Sequence, residues 1–116
     1  MDNFRFESSK AFNVADILEY LPKSIVIKSI LRKTTGNVSA VSFDSGEILV
    51  GKISAFDTLI QIIDGKSEII IDDKSNLLEM GQSIIIPAHS SNIIKANIRF
   101  KMISTIIKSG YEEVIL

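Results

Sequence analysis

Apolar and polar residues alternate in short runs along most of the chain. From Ser24 onward about nine such runs follow one another, at intervals of roughly 8 to 12 residues. Alternation with a period of two places successive side chains on opposite faces of a strand. Turn residues separate the runs, so the pattern predicts an all-β antiparallel sandwich or barrel rather than alternating strands and helices. The runs are SIVIKSILR, NVSAVSF, EILVGKI, TLIQIID, KSEIIID, NLLEM, QSIIIP, NIIKA and RFKMISTII.

One segment follows a helical period instead. In NVADILEYLP the apolar residues recur at helical spacing, Asn13 can cap the first turn, and Pro22 ends the run. We therefore expect one short N-terminal helix over about residues 13–21, packed against a β-rich core over about residues 24–108. A chain of 116 residues is expected to form one domain, residues 1–116.

Three sites between the strands carry turn residues. Asp64-Gly65 is the strongest hairpin signal, because a type I′ turn needs a positive φ at both central residues. The stretches 72–75 and 79–82 are interpreted as the next two turns. Residues 57–87 are therefore expected to form a meander.

Charge and composition exclude several classes of function. The 13 basic and 14 acidic residues are scattered and give a net charge of −1, which disfavours nucleic acid and anionic membranes as partners. Cysteine is absent, which excludes disulfides, thiolate metal sites and thiol nucleophiles. The N-terminal stretch lacks an apolar signal core, and no apolar run approaches the roughly 20 residues of a membrane span. A cytoplasmic protein is expected, and the 22 isoleucines are compatible with an AT-rich bacterial genome.

Glycine and proline spacing between residues 36 and 107 resembles the cupin superfamily, specifically the small single-domain cupins. Gly46 and Gly65 fall where the first cupin motif begins and ends. Gly81 opens the second motif, and Pro87 follows after five residues. The resemblance implies a cupin-like double-stranded jelly-roll barrel, and it implies a homodimer, which is common among small cupins.

The metal ligands of the cupin motifs are replaced in this chain. The resemblance places Lys52 and Ser54 at the paired histidines, Thr58 at the glutamate and Asn92 at the third histidine. An ammonium, two hydroxyls and a carboxamide are poor substitutes for imidazole and carboxylate ligands. We expect no metal ion and no cofactor. These four residues are instead expected to line a ligand-binding cavity, with Lys52 on the interior side together with Val50 and Ser54.

Three residues are weak catalytic candidates. His89, the only histidine, has an unperturbed pKa that suits proton transfer, but a partly exposed loop histidine is the simpler interpretation. Lys52 could bind an anion or form a Schiff base if it is desolvated, and is otherwise a solvated lysine at the barrel mouth. Asp57 could act beside Lys52, although aspartates at strand ends are common.

Three functions remain open at this point. The first is a metal-free module that binds or senses a small molecule in the barrel. The second is a metal-independent isomerase, epimerase or lyase acting on a sugar or a carboxylated metabolite, with His89 or Lys52 moving a proton. The third is a ligand-free structural or interaction protein whose barrel is filled by isoleucine side chains.

Overall fold

The computed structural model describes residues 6–108, and the chain in that range consists mainly of β-strands. The predicted domain of residues 1–116 extends beyond this range at both ends. One 3-10 turn, Val14–Asp16, precedes the strands within it. The strands are β1 (Ile25–Lys33), β2 (Gly36–Phe43), β3 (Ile48–Gly51), β4 (Thr58–Ile71), β5 (Lys74–Glu79), β6 (Ser83–Ile86), β7 (Asn92–Lys95) and β8 (Phe100–Ile107).

The strands form two sheets that share β4. The front sheet contains β1, β2, β8, the first half of β4 and β6, in that order. The back sheet contains β5, the second half of β4, β7 and β3. Every pairing among these strands is antiparallel, and the sheet curls on itself, so the predicted all-β jelly roll is confirmed.

The predicted hairpin at Asp64-Gly65 is wrong, because β4 continues through both residues. Gly65 pairs with Phe100 of β8, and a bulge lies between Ile62 and Asp64 at the point where β4 passes from the front sheet to the back sheet. Gly65 has a φ of +73°, and a Cβ at this position would overlap the Arg99 carbonyl oxygen. Glycine is therefore required here by a bend and a close approach of two strands, not by a turn.

The two-residue hairpin is one turn later, at Asp72-Asp73. Ile71 and Lys74 are the last paired residues of β4 and β5, and the two aspartates between them have φ values of 46° and 66°. Two consecutive positive φ values are what a type I′ hairpin requires, and aspartate tolerates them better than most residues. Turns were predicted on both sides of residues 66–71, at Asp64-Gly65 and at 72–75, and only the second is present.

The core fills the space between the two sheets. Phe43 and Phe100 are fully buried and stacked, with ring centroids 4.4 Å apart. Isoleucines from β4, β6 and β7 surround them, with Ile60 and Ile69 almost completely buried. No helix in residues 6–108 has the length and apolar character needed to cross a membrane.

The predicted N-terminal helix over residues 13–21 is also wrong. Asn13 makes no side-chain cap hydrogen bond, and the helical stretch is limited to the turn Val14–Asp16. Backbone carbonyls of this segment accept hydrogen bonds from the front sheet instead: Lys101 Nζ donates to Ala15 (2.6 Å) and Ser42 Oγ donates to Glu19 (2.9 Å). The segment lies flat on the outer face of that sheet with Leu18 buried, because tertiary hydrogen bonds replace those of a helix.

Candidate functional site

The predicted site residues gather at one end of the jelly roll, which we call the loop end. It is formed by the loop 52–57 between β3 and β4 and the loop 87–91 between β6 and β7. Two hydrogen bonds join these loops: His89 N donates to the Ser54 carbonyl oxygen (2.7 Å), and Ala88 N donates to Asp57 Oδ1 (2.8 Å). The loop end is therefore a connected structure that holds the strand ends behind it in place.

Two of the predicted ligand-binding residues point toward the interior from opposite sheets. Thr58 begins β4 and shares a face with the buried Ile60. Asn92 begins β7 and shares a face with the buried Ile94. Both residues are half-buried, and neither side chain makes a hydrogen bond to another residue in the range 6–108. Their polar atoms therefore have no hydrogen-bond partner among the described residues.

The position of Asn92 depends on the absence of a side chain at Gly51. These residues are paired across β3 and β7, and a Cβ at Gly51 would overlap the Asn92 carboxamide. The φ of Gly51 lies outside the left-handed region, so only the carboxamide prevents a larger residue here. Gly51 thus supplies the space in which the Asn92 side chain lies.

Lys52 does not point into the barrel, contrary to the expectation from strand alternation. On β3 the residue that packs against the core is Leu49, while Ile48 and Val50 face outward and are 55% and 70% exposed. Lys52 follows the end of this strand and is exposed. Ser54 is half-buried, and its Oγ accepts a hydrogen bond from the Phe56 backbone N–H (3.0 Å). Both residues lie on the rim of the loop end, and their role in ligand binding stays a prediction.

His89 and Asp57 are exposed at the same rim. His89 has a φ of +65°, a left-handed backbone that few residues other than glycine adopt. Asp57 fixes the neighbouring backbone through its bond to Ala88 N. The structure therefore brings the two catalytic candidates onto adjoining loops.

Sequence reasoning missed a row of three serines on neighbouring strands of the front sheet, of which Ser39 and Ser104 are half-buried and Ser29 is exposed. Ser29 of β1 pairs with Ser39 of β2, and Ser39 pairs with Ser104 of β8. The three side chains make no hydrogen bond within residues 6–108. Alternation was the available signal for Ser39 and Ser104, because each lies two residues from a core residue on its strand, Val41 and Met102.

Ionisable groups with shifted pKa values lie away from the loop end. Burial, then the hydrogen bond from its hydroxyl to Asp64 (2.6 Å), raises the pKa of Tyr20. A hydrogen bond from the Lys23 backbone N–H, followed by one from Arg99, lowers the pKa of Asp44. A hydrogen bond from Ser75 lowers the pKa of Glu68, on the outer face of the back sheet. The shifted pKa values thus belong to groups whose hydrogen bonds hold the fold together, not to the residues of the loop end.

Residues 6–108 contain no group of three or more histidine, cysteine, aspartate or glutamate side chains placed to hold a metal ion. The inward groups at the loop end are hydroxyls and a carboxamide, which are weak ligands for a first-row metal. This donor set does not fit the metal centre of the cupin motifs. The expectation that the protein functions without a metal ion stays a prediction.

Comparison with solved structures identifies the fold. A conserved protein of unknown function from Streptococcus pyogenes is 20% identical, with a TM-score of 0.86 over 93% of this chain and 95% of that one. A cupin superfamily protein from Desulfitobacterium hafniense is 23% identical, with a TM-score of 0.84 over 91% of this chain and 97% of that one. A cupin 2 conserved barrel domain protein from Leptotrichia buccalis is 28% identical, with a TM-score of 0.80, and the match covers 84% of this chain and 47% of that one.

No family model and no curated protein sequence matches the chain. The structural neighbours nevertheless confirm, for the fold, the resemblance that the glycine and proline spacing predicted.

Proposed function

We propose that this chain, which has the cupin fold, binds a small neutral polar molecule at its loop end, without a bound metal ion. One observation carries the proposal: Thr58, Asn92, Ser39 and Ser104 place unpaired hydroxyl and amide groups on the inner faces of both sheets. Pockets that bind small molecules combine apolar walls with a few such polar groups, and Ile60 and Ile94 supply the apolar part.

The hydroxyl and carboxamide groups of these four residues indicate the class of ligand. A ligand that places a charge beside them loses hydration without gaining a counter-ion, and this is costly. A molecule with several hydroxyl groups, such as a sugar or a polyol, can donate to and accept from serine, threonine and asparagine in turn. Lys52 and His89 at the rim are expected to contact only the solvent-facing part of such a ligand.

The test is a titration of the protein with a panel of neutral pentoses, hexoses and polyols, followed by amide chemical shifts. We expect saturable shifts centred on Ser39, Thr58, Asn92 and Ser104 for at least one compound. Thr58→Val should weaken binding about tenfold, since one hydrogen-bonding hydroxyl is lost. Thr105→Val is the matched control, because Thr105 lies on the opposite face of β8. Absence of saturable shifts across the panel would contradict the proposal.

A metal-independent enzyme is the second candidate, favoured by the hydrogen bonds that bring His89 and Asp57 onto adjoining loops. A nonglycine residue with a left-handed backbone costs stability, and such residues cluster at functional sites. Once a ligand is found, its conversion can be followed by NMR with wild type, His89→Ala and Lys52→Ala. Turnover that is the same in all three proteins would exclude both residues as the proton-transfer group.

Self-association is a separate proposal that applies to any of these functions. The outer face of the back sheet carries two exposed apolar residues on its edge strand β3, Ile48 and Val50. Apolar side chains on an open sheet face are typical of interfaces, and a second copy would cover them. Sedimentation velocity should show a homodimer that Val50→Lys converts to monomer. A monomeric wild type at high micromolar concentration would exclude this interface.

A further inference from the structure

A second concave surface lies at the end of the back sheet away from the loop end, and we call it the distal groove. Its volume is about 590 Å³, within the range of small-molecule sites. It crosses the beginning of the second half of β4. Leu77, Leu78 and Glu79 of β5 lie on one side of β4, and Asn97 and Ile98, which follow β7, lie on the other.

The groove has exposed apolar side chains, and its charged groups are separated. Leu77 and Ile98 are 76% and 49% exposed, whereas Leu78, the next residue of β5, points to the opposite face and is 6% exposed. Lys66 and Glu79 are direct cross-strand partners in the pairing of β4 with β5. Such partners ordinarily form ion pairs, yet no nitrogen–oxygen contact within 4.0 Å joins these two described residues.

The walls of the groove are held by hydrogen bonds. In the turn between β5 and β6, Glu79 N donates to Gln82 Oε1 (2.9 Å) and Gln82 N donates to the Glu79 carbonyl oxygen (2.9 Å). Gly81 N donates to the Ile62 carbonyl oxygen of β4 (2.9 Å). The opposite wall is attached by Asn97, whose Nδ2 donates to Glu68 Oε1 (3.5 Å). The Asn97 carboxamide oxygen and the Gln82 side-chain amide N–H groups make no hydrogen bond to another residue in the range 6–108.

We propose that the distal groove binds a small zwitterion with an apolar side chain, of the class of the aliphatic α-amino acids. Lys66 and an amide N–H of Gln82 bind the carboxylate, and Glu79 and the Asn97 carboxamide oxygen bind the ammonium group. The side chain lies on Leu77 and Ile98. Each ligand charge meets an opposite charge that has no ion-pair partner among residues 6–108, which is the charge complementarity that charge-assisted hydrogen bonds require.

The test uses L-leucine as the probe and backbone amide chemical shifts of the full chain as the readout. We expect saturable shifts confined to residues 66–67, 77–82 and 97–98. Leucinamide lacks the carboxylate, 4-methylpentanoate lacks the ammonium group, and L-serine lacks the apolar side chain. Each is expected to bind about tenfold or more weakly than L-leucine, because each loses one of the three contacts.

Matched variants assign the charges. Lys66→Gln and Glu79→Gln should each weaken L-leucine binding about tenfold or more. Lys74→Gln and Asp73→Asn, at the exposed far end of the same hairpin, should leave it unchanged. If L-leucine at concentrations up to about 20 mM causes no saturable shifts, the proposal is overturned. Binding of leucinamide or of 4-methylpentanoate that is as tight as that of L-leucine would overturn it as well, and so would shifts centred on Asn92. A failed sugar panel at the loop end would not affect it.

Discussion

The bend of β4 at Gly65 makes a specific prediction about stability. In Gly65→Ala the alanine must adopt the left-handed backbone of Gly65, which costs about 1 to 2 kcal/mol for an L-residue. The same methyl group would lie 2.9 Å from Phe100 Cα and 3.0 Å from Phe100 Cβ, and it would overlap the Arg99 carbonyl oxygen. Overpacking of this kind costs about 1 to 3 kcal/mol more, so we expect a total loss of about 2 to 5 kcal/mol.

Gly81→Ala is the control that separates the two contributions. Gly81 also has a left-handed backbone, with a φ of +92°, but no heavy atom lies within 4 Å of a Cβ built on it. Its substitution should therefore cost only the conformational part, about 1 to 2 kcal/mol. Both variants differ from wild type by one methyl group, and the difference between them measures the close approach of Gly65 to β8.

The assay is urea unfolding followed by circular dichroism, with thermal unfolding as a second measurement. With about 4 °C of Tm per kcal/mol for a chain of this size, Gly65→Ala should lower Tm by about 8 to 20 °C. Gly81→Ala should lower it by about 4 to 8 °C. If the two variants lose the same free energy within about 0.5 kcal/mol, residue 65 lies in an open turn, and our account of β4 is refuted.

Three further predictions concern the attachment of the N-terminal segment and its neighbours. Because the pKa of Tyr20 is raised above 10.0, its neutral hydroxyl stabilises the folded state below that pH, and this stabilisation is lost as the pH rises above it. The free energy of unfolding should therefore fall from pH 9 to 11 more steeply in wild type than in Tyr20→Phe. Parallel curves for the two proteins would contradict this. Leu18 is buried, so Leu18→Ala should lower the free energy of unfolding by about 2 to 5 kcal/mol. Leu21 is 45% exposed, so Leu21→Ala should lower it by less than about 1 kcal/mol. Similar losses in the two variants would show that the segment does not pack on the sheet. Because the Lys23 backbone N–H lowers the pKa of Asp44, the stability contributed by this carboxylate is present above the unfolded pKa of 3.8 and is lost as the pH falls. Asp44→Asn should therefore reduce the decrease in the free energy of unfolding between about pH 5 and 3. The same decrease in wild type and variant would contradict this.

Alternation predicted the strands well because each strand has one face on the core. It shows which residues share a face, but it does not show which face is inside when both contain apolar residues. On β3 both Leu49 and Val50 are apolar, and only the structure shows that Leu49 packs inward. The expected interior position of Lys52 failed for this reason.

The two other differences arise from partners distant in the sequence. The pair Asp64-Gly65 indicates a positive φ, which is compatible both with a hairpin turn and with a bulged bend inside a strand. The bend forms because Gly65 pairs with Phe100 of β8, about 35 residues later in the chain. The segment 13–21 has helical spacing, but Lys101 and Ser42 donate hydrogen bonds to its backbone carbonyl oxygens. Thr58 and Asn92 were predicted from the spacing of the cupin glycines and proline, and both lie on inward faces of their strands; their role in ligand binding stays a prediction.

The continuous strand β4 also has a consequence for how the protein folds and unfolds. Its first half is a central strand of the front sheet and its second half a central strand of the back sheet, so neither sheet can dissociate without removing a strand from the other. Partial unfolding by loss of one sheet is therefore blocked, and the amides of β4 should exchange with solvent only through global opening. Folding must also bring β4 to strands far along the chain, and such non-local pairing is slow compared with helix formation. One 14-residue strand thus couples the loop end and the distal groove into a single cooperative unit.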